Sequence, residues 1–239
     1  VVDCANGAAH RTAPDTLYEL GAEIVPLAVS PDGFNINKDC GAVHPQVMAK
    51  TVVVHGADAG ICLDGDADRL IMADETGKII DGDQILGCLA LAMKERGTLA
   101  KDAVVGTVMT NCGLETRLGK AGIDLHRVAV GDRYILEKMR QDGLNLGGEP
   151  SGHTLMTDFA RSGDGLLTAL QMLTLMKTSG KKASTLFSSF TPNPQKLENL
   201  RGIDPAILQD KKLQSDIANI EANLNGKGRV LVRPSGTEA

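Results

Sequence analysis

The chain has 239 residues, of which 42% are hydrophobic and 23% are charged, and its formal net charge is −5. This composition is typical of globular proteins, and the length predicts about one to three compact units. The negative charge argues against a nucleic-acid partner bound by phosphate neutralisation, and no apolar run approaches the roughly 20 residues that a membrane span needs.

Short apolar runs alternate with helical patterns from the start of the chain, which predicts α/β layering. The elements predicted for the first hundred residues are a strand at 1–2, a helix ending at 20–21, a strand at 23–29, a helix, a strand at 59–63, a strand at 70–73, a hairpin turn at 75–78 and a helix from 81–83 to 94.

A weak internal repeat follows. The stretch from Val104 to Leu125 repeats the strand, Asn/Gly loop, helix and strand of the first residues of the chain, at an offset of about 100 residues. General α/β alternation also produces such a pattern. The repeat supports two related units, and we expect two related three-layer α/β domains with mixed sheets, at residues 1–100 and 101–191.

The sequence after Pro192-Asn193-Pro194, a predicted linker, has a different organisation. A helical stretch at 213–224 and an apolar run at 229–232 predict one helix and one strand. We therefore expect residues 192–239 to begin a smaller α+β C-terminal domain, too short to close its own core.

Five cysteines are widely spaced, and no two form a C-x-x-C pair. This usage is typical of a reducing cytoplasm and not of a disulfide framework, so we expect a cytoplasmic protein. Cys62 and Cys88 lie in apolar runs, where a buried thiol behaves as a small hydrophobe.

Three carboxylates, Asp64, Asp66 and Asp68, directly follow an apolar strand. Within a turn they can converge on one point, where their charges repel strongly unless a cation joins them. Hard oxygen ligands favour Mg²⁺ or Ca²⁺. A solvated acidic turn is the alternative interpretation.

A calcium-binding loop is a further alternative, because the three aspartates and Glu75 match positions 1, 3, 5 and 12 of an EF-hand. Arg69 stands where that loop needs glycine, and predicted strands flank it. A phosphatase with Asp64 as nucleophile is disfavoured, since Asp68 stands where that class has Thr or Val.

Two polar loops later in the chain suit sugar and phosphate binding, although each pattern also occurs in ordinary turns. In the first, Glu149 can accept from sugar hydroxyls, Ser151 can donate and accept, and His153 can act as a general acid or base. The second offers a guanidinium, two hydroxyls and exposed backbone N–H groups for a phosphate, from Arg233, Ser235, Gly236 and Thr237.

These three motifs, in this order, resemble those of the phosphohexose mutases, the phosphoglucomutase and phosphomannomutase superfamily, and the resemblance spans nearly the whole chain. It implies that the aspartate trio holds Mg²⁺ and that Arg69 lies near the phosphoryl group in transfer. It further implies that 149–153 bind the sugar, that His153 is catalytic, and that 233–237 bind the phosphate. Ala239 departs from the family pattern, which has Pro there.

Asp132 and Arg133, in the stretch Val130–Tyr134, resemble the phosphoglucosamine branch and are expected to bind substrate, although Asp132 also suits a helix N-cap. The resemblance implies an isomerase that interconverts glucosamine 6-phosphate and glucosamine 1-phosphate for UDP-GlcNAc biosynthesis. The implied route uses a phosphoserine and a bisphosphate. A phosphomannomutase or phosphoglucomutase is the alternative.

The family's Ser-His-Asn-Pro loop, which carries the phosphorylated serine, does not occur in these residues, so no nucleophile is assigned. The chain starts inside a predicted strand without Met and stops just after a Ser-Gly-Thr turn. We expect it to be a fragment of a longer protein and inactive alone. Sugar preference and oligomeric state stay open.

Overall fold

The computed structural model describes residues 1–196, 198, 200, 202–225 and 228–233. The chain divides into two compact units, Val1–Pro192 and Asn193–Ala239. The first unit contains two mixed sheets, and the loops at 64–69 and 149–153 both lie in it.

The first sheet has the strand order β2-β1-β3-β4-β5, in which β1 is parallel to β2 and β3 while β4 is antiparallel to β3 and β5. The strand predicted at 23–29 is shortened to two residues. It is an edge strand, and Pro26 has no N–H to donate to a ladder. The strands are β1 Val2–Asp3, β2 Pro26–Leu27, β3 Ala59–Leu63, β4 Leu70–Asp74 and β5 Ile79–Ile80.

The second sheet has the order β7-β6-β8-β9, in which β6 is parallel to β7 and β8 while β9 is antiparallel to β8. This repeats the order and directions of β2-β1-β3-β4. The predicted internal repeat therefore extends to sheet topology. The strands are β6 Ala103–Thr107, β7 Asp124–Val128, β8 Leu146–Gly148 and β9 Thr154–Met156.

Helices cover both faces of each sheet, which confirms the predicted three-layer α/β architecture. One apolar cluster joins α2 to the first sheet and another joins α5 to the second, while α3, α4 and α6 share a large core with the opposite faces. The helices are α1 Thr12–Glu19, α2 Gln46–His55, α3 Gly82–Glu95, α4 Cys112–Lys120, α5 Asp132–Asp142, α6 Gly165–Ser179, α7 Ala183–Leu186 and α8 Lys211–Asn223.

The repeat places two motif loops at equivalent positions. Residues 64–69 connect β3 to the antiparallel β4, and residues 149–153 connect β8 to the antiparallel β9. An isolated antiparallel bridge joins Arg69, the last residue of the first loop, to His153, the last residue of the second. The two hairpins therefore meet backbone to backbone.

The second unit contributes a 3₁₀ turn, Pro205–Gln209, followed by α8, which matches the helix predicted at 213–224. The strand predicted at 229–232 is wrong for the described residues, which form no sheet there. Leu231 and Val232 are exposed, so no burial compensates the cost of ordering an unpaired strand.

None of the helices in the described ranges is long and apolar enough to cross a bilayer. All five cysteines are free thiols, and Cys62 and Cys88 are buried as predicted. Burial raises the pKa of Cys88 to about 12, so this thiol is inert at neutral pH.

Candidate functional site

The three carboxylates of the first loop are gathered together. Oxygens of Asp64, Asp66 and Asp68 all lie within 4.8 Å of one another, with Asp64 buried and Asp66 exposed. Ala67 has a φ of 63°, which reverses the chain between the last two aspartates. The loop is therefore a turn that brings the three side chains to one point.

Neighbouring backbone closes on this loop and fixes its position. Ala8 donates its N–H to the Gly65 carbonyl at 2.8 Å, and a Cβ on Gly7 would lie 2.2 Å from the same oxygen. On the other side, Gly165 donates to the Ala67 carbonyl at 2.8 Å at the start of α6. The loop is held from two directions by contacts that leave no room for a side chain.

Arg69 places a positive charge beside the cluster. Its Nε lies 3.8 Å from Asp64 Oδ2 and 3.7 Å from Asp68 Oδ1, and its backbone N–H donates to Asp64 Oδ1 at 3.1 Å. Arg69 Nε and Asp68 Oδ1 are both buried without a hydrogen-bond partner. Such orphaned atoms indicate that the site is built to receive a cation and an anion.

The donor set suits Mg²⁺. All three groups offer carboxylate oxygens, which hard divalent cations prefer, and Asp68 Oδ1 has no hydrogen-bond partner among the described residues. Burial raises the pKa of Asp64, and the negative charges of Asp68 and Asp66 raise it further. The hydrogen bond from the backbone N–H of Arg69 acts in the opposite direction and lowers it. A bound cation would relieve this repulsion.

The calcium-loop alternative lacks its twelfth ligand. Glu75 lies past the far end of β4, roughly 17 Å along a five-residue strand from the cluster. Its carboxylate instead accepts the backbone N–H of Ser184 at 2.8 Å and the hydroxyl of the same residue. This geometry argues against an EF-hand.

In the second loop, the Glu149 carboxylate is buried and already oriented. Oε1 accepts the N–H of Gly131 at 2.8 Å, and Oε2 accepts the Ser151 hydroxyl at 3.1 Å. Ser151 itself is exposed. Glu149 and Ser151 therefore form one fixed polar pair, of which the serine faces solvent.

His153 joins the two loops through its side chain as well as its backbone. Nδ1 lies 3.2 Å from Asp68 Oδ2, and the ring packs so closely on Gly163 that a Cβ there would lie 2.6 Å from Nε2. Nε2 is buried without a partner. The ring can thus share a proton with Asp68 through Nδ1, while Nε2 keeps its hydrogen-bonding capacity.

Asp132 and Arg133 begin α5, but not as predicted for a cap. The N-cap is Gly131, which has no capping side chain, and Asp132 is the first helical residue. Arg133 extends along the helix to Glu137, with Nε 3.0 Å from Oε1. Asp132 is therefore next in the chain to Gly131, whose N–H donates to the Glu149 carboxylate. The Arg133 side chain instead runs along the helix toward Glu137.

The predicted phosphate loop is only partly described. Arg233 is exposed at the end of the described chain, whereas Ser235, Gly236 and Thr237 lie outside the described residues.

The first turn of α3 belongs to the site and was missed by sequence reasoning. Gly82 donates to the Pro150 carbonyl at 3.1 Å, and a Cβ on it would lie 2.0 Å from the Glu149 carbonyl. Buried Asp83 accepts the N–H of Asn111 through Oδ2 at 2.7 Å. The signal was present: a second acid two residues after the capping Asp81, in a largely apolar helix, needs a buried partner.

Asp83 should make stability depend on pH. Its pKa is raised to about 7 because burial disfavours the charged form. Between pH 3.8 and 7 the folded chain holds this proton more tightly than the unfolded chain, so the free energy of unfolding falls as pH rises. In Asp83→Asn the free energy of unfolding should fall by about 1–2 kcal/mol less over this pH interval than it does in the parent. Urea denaturation at several pH values within the interval measures the difference.

The control for this experiment is Asp15→Asn, which changes an exposed acid in the first turn of α1. It should keep the slope of the parent. Parallel profiles for the parent and Asp83→Asn would contradict the prediction.

Three models of one family match the chain in succession. They are phosphoglucomutase/phosphomannomutase alpha/beta/alpha domain II at residues 1–77, alpha/beta/alpha domain III at 81–193 and the C-terminal domain at 192–239. The match to domain III includes α3, which packs on the second sheet. The boundary predicted at residue 100 stays a prediction.

Among proteins of known name, the chain is 57% identical to the phosphoglucosamine mutase of Roseobacter denitrificans and 53% identical to that of Caulobacter vibrioides. Each match covers 100% of this chain and 53% of the relative. The chain thus spans about half the length of the curated relatives it matches.

Solved structures agree on the fold. A phosphoglucomutase/phosphomannomutase family protein from Burkholderia thailandensis is 28% identical, with a TM-score of 0.72 over 80% of this chain and 42% of that one. An N-acetylphosphoglucosamine mutase from Aspergillus fumigatus, in complex with GlcNAc-6P and magnesium, is 19% identical. Its TM-score is 0.80 over 99% of this chain and 55% of that one.

Proposed function

The chain belongs to the phosphohexose mutase superfamily, and from that premise we propose that it is the metal-binding and sugar-binding part of a phosphoglucosamine mutase. The reaction proposed for the intact protein interconverts glucosamine 6-phosphate and glucosamine 1-phosphate. The identity to phosphoglucosamine mutases over the whole chain supports this substrate class over mannose or glucose phosphates, which are the second candidate.

In this proposal Asp64, Asp66 and Asp68 hold Mg²⁺. When bound, the ion neutralises negative charge on the oxygens of the phosphoryl group in transfer. Arg69 adds a guanidinium on the same side, and its unpartnered Nε is available to a phosphoryl oxygen. The two together lower the electrostatic cost of bringing a sugar phosphate to a site that already holds three carboxylates.

The loop at 149–153, which we call the sugar loop, orients the acceptor hydroxyl. Glu149 and Ser151 accept from and donate to hydroxyls of the ring, and their own hydrogen bond fixes both before substrate arrives. His153 holds a proton at its imidazole and moves it to or from the reacting oxygen, with Asp68 stabilising the charged ring. Asp132, next to the Gly131 N–H that holds Glu149, contacts the substrate beside this loop.

Three further assignments complete the proposal. The phosphate that is not reacting binds to the guanidinium, hydroxyls and backbone N–H groups of Arg233, Ser235, Gly236 and Thr237. The serine that carries the phosphoryl group is not among these residues, so its step belongs to the intact protein. Five free thiols suit the reducing cytoplasm that we propose as its location.

The single observation that carries the proposal is the meeting of the two hairpins at the Arg69–His153 bridge. Metal-binding carboxylates on one loop and sugar-binding groups on the other can act on one substrate only if the two loops lie side by side. Because backbone joins their last residues, a sugar bound by Glu149 presents its hydroxyls beside the aspartate cluster. Phosphoryl transfer depends mainly on such positioning.

The test is a substrate comparison with the intact protein and Mg²⁺. We expect kcat/KM for glucosamine 6-phosphate to exceed that for glucose 6-phosphate and mannose 6-phosphate by at least about tenfold. Glu149→Gln should lower kcat/KM for all three sugars by about tenfold or more, since a charged acceptor is lost. Equal turnover of the three sugars would favour the second candidate, and no turnover of any would reject the proposal.

A further inference from the structure

A cavity of about 380 Å³ lies between α5 and the connection from β9 to α6. Its volume is within the range of about 300–1,000 Å³ that small-molecule sites occupy. The lining combines three arginines with two carboxylates, one hydroxyl and two leucines: Arg133, Arg140, Arg161, Asp132, Glu137, Ser162, Leu136 and Leu155.

Helix periodicity explains how α5 builds one wall. Arg133, Glu137 and Arg140 follow a spacing of four and three residues, which places them on one face of the helix. Arg161 approaches this face from the opposite wall, in the segment that leads to α6. Arginines from two separate elements thus converge on one space.

The cavity has an excess of positive charge. Three guanidiniums face two carboxylates, and Glu137 is already paired with Arg133. Neither Arg140 nor Arg161 has an ion pair within 4 Å among the residues that the structure describes. Guanidinium groups stay charged at all physiological pH values and bind planar pairs of phosphate oxygens with two parallel hydrogen bonds.

The cavity adjoins the sugar loop at two points. Asp132 follows Gly131, whose N–H holds the Glu149 carboxylate at 2.8 Å. Ser162 precedes Gly163, on which the His153 ring packs. An anion in the cavity therefore lies next to the groups that orient the sugar.

We propose that this cavity binds the phosphoryl group of a sugar phosphate, as a subsite separate from Arg233 and from the aspartate cluster. Arg140 and Arg161 supply the two unpaired guanidiniums, and the Ser162 hydroxyl can donate a further hydrogen bond. The proposal rests on the proposed function, because a sugar phosphate is the ligand that the adjoining loop suits. The subsite holds the phosphoryl group, so that the sugar phosphate stays beside the sugar loop while its sugar ring is free to turn.

The test measures binding of glucosamine 6-phosphate and inorganic phosphate to the chain by calorimetry in EDTA, in an Arg233→Ala background. These conditions remove divalent cations and the other guanidinium proposed to bind phosphate. We expect Arg140→Ala and Arg161→Ala each to weaken sugar phosphate binding by about tenfold. Arg161→Lys should recover only part, since it keeps the charge and loses the two-pronged geometry.

The matched control is Arg96→Ala, an exposed arginine at the end of α3 remote from the cavity lining, which should bind like the parent. Unchanged affinity in both cavity variants would overturn the proposal. Equal affinity for inorganic phosphate and the sugar phosphate would overturn it too, because the site would then recognise phosphate alone. If the intact protein turns over the sugar while the cavity variants bind normally, the subsite fails and the proposed function stands.

Discussion

Asp66→Asn should lower the Mg²⁺-dependent isomerisation of glucosamine 6-phosphate by the intact protein at least about a hundredfold, while the folded structure persists. Asp66 is the exposed member of the aspartate cluster, so its replacement leaves no buried group unpaired. The amide keeps the size of the side chain but removes one of three charges that attract the cation. Charge stabilisation by a bound metal contributes several kcal/mol to such transition states.

A direct binding measurement separates metal loss from other causes. Mg²⁺ should raise the melting temperature of the parent chain in proportion to the logarithm of its concentration, and this shift should shrink in Asp66→Asn. Asp58→Asn is the control, since this exposed acid precedes β3 at the end opposite the cluster. Full turnover with a weakened Mg²⁺ response in Asp66→Asn would show that the cluster is not the catalytic metal site.

Local sequence signals predicted the central strands and their loops well. The apolar runs of β3 and β4 are buried along almost their whole length and end at acidic residues, so their bounds were predicted to within one residue. The length of β2 was overestimated from its apolar residues, because Pro26 at the edge of the sheet limits strand pairing. Pairing depends on tertiary partners, which a single segment does not encode.

The members of the site were easier to predict than their contacts. Acidic and Gly-rich motifs identify the two loops, but the approach of His153 to Asp68 depends on how two sheets pack through a shared core. Arg161 carried no local signal, since a lone cation in a connection is usually solvated. Its proposed role depends on the facing surface of α5, with which it lines one cavity.

The equivalence of the two hairpins gives the site a structural origin. Each loop connects a parallel strand to the antiparallel strand that follows it, β3 to β4 in the first sheet and β8 to β9 in the second. The shared topology therefore places a polar loop at the same position in each sheet. Packing the two sheets through one core then brings Arg69 and His153 together. In the proposed function, the metal-binding and sugar-binding groups are thereby divided between two copies of one arrangement.

Gly152→Ala should lower isomerisation by the intact protein about a hundredfold and destabilise the fold, because the sugar loop has no space for a methyl group at this position. Gly152 has a φ of 96°, and a Cβ there would lie 2.3 Å from the carbonyl oxygen of Leu70. The same two residues are joined by a hydrogen bond of 3.1 Å from the Leu70 N–H to the Gly152 carbonyl. The loop must therefore move away from β4, and a shift of about 1 Å in a positioning group can cost about a hundredfold in rate.

Gly180→Ala separates this steric effect from the backbone preference of glycine. Gly180 ends α6 with a φ of 65°, and a Cβ at this position would have no heavy atom within 4 Å, so alanine there meets open space. Both variants should lose about 1 kcal/mol in the free energy of unfolding from the left-handed backbone alone. Only Gly152→Ala should also lose turnover and raise KM, since only there does the methyl group displace Glu149 and His153 from the aspartate cluster. If the two variants lose stability equally and both stay active, the docking of the sugar loop on β4 does not position the substrate.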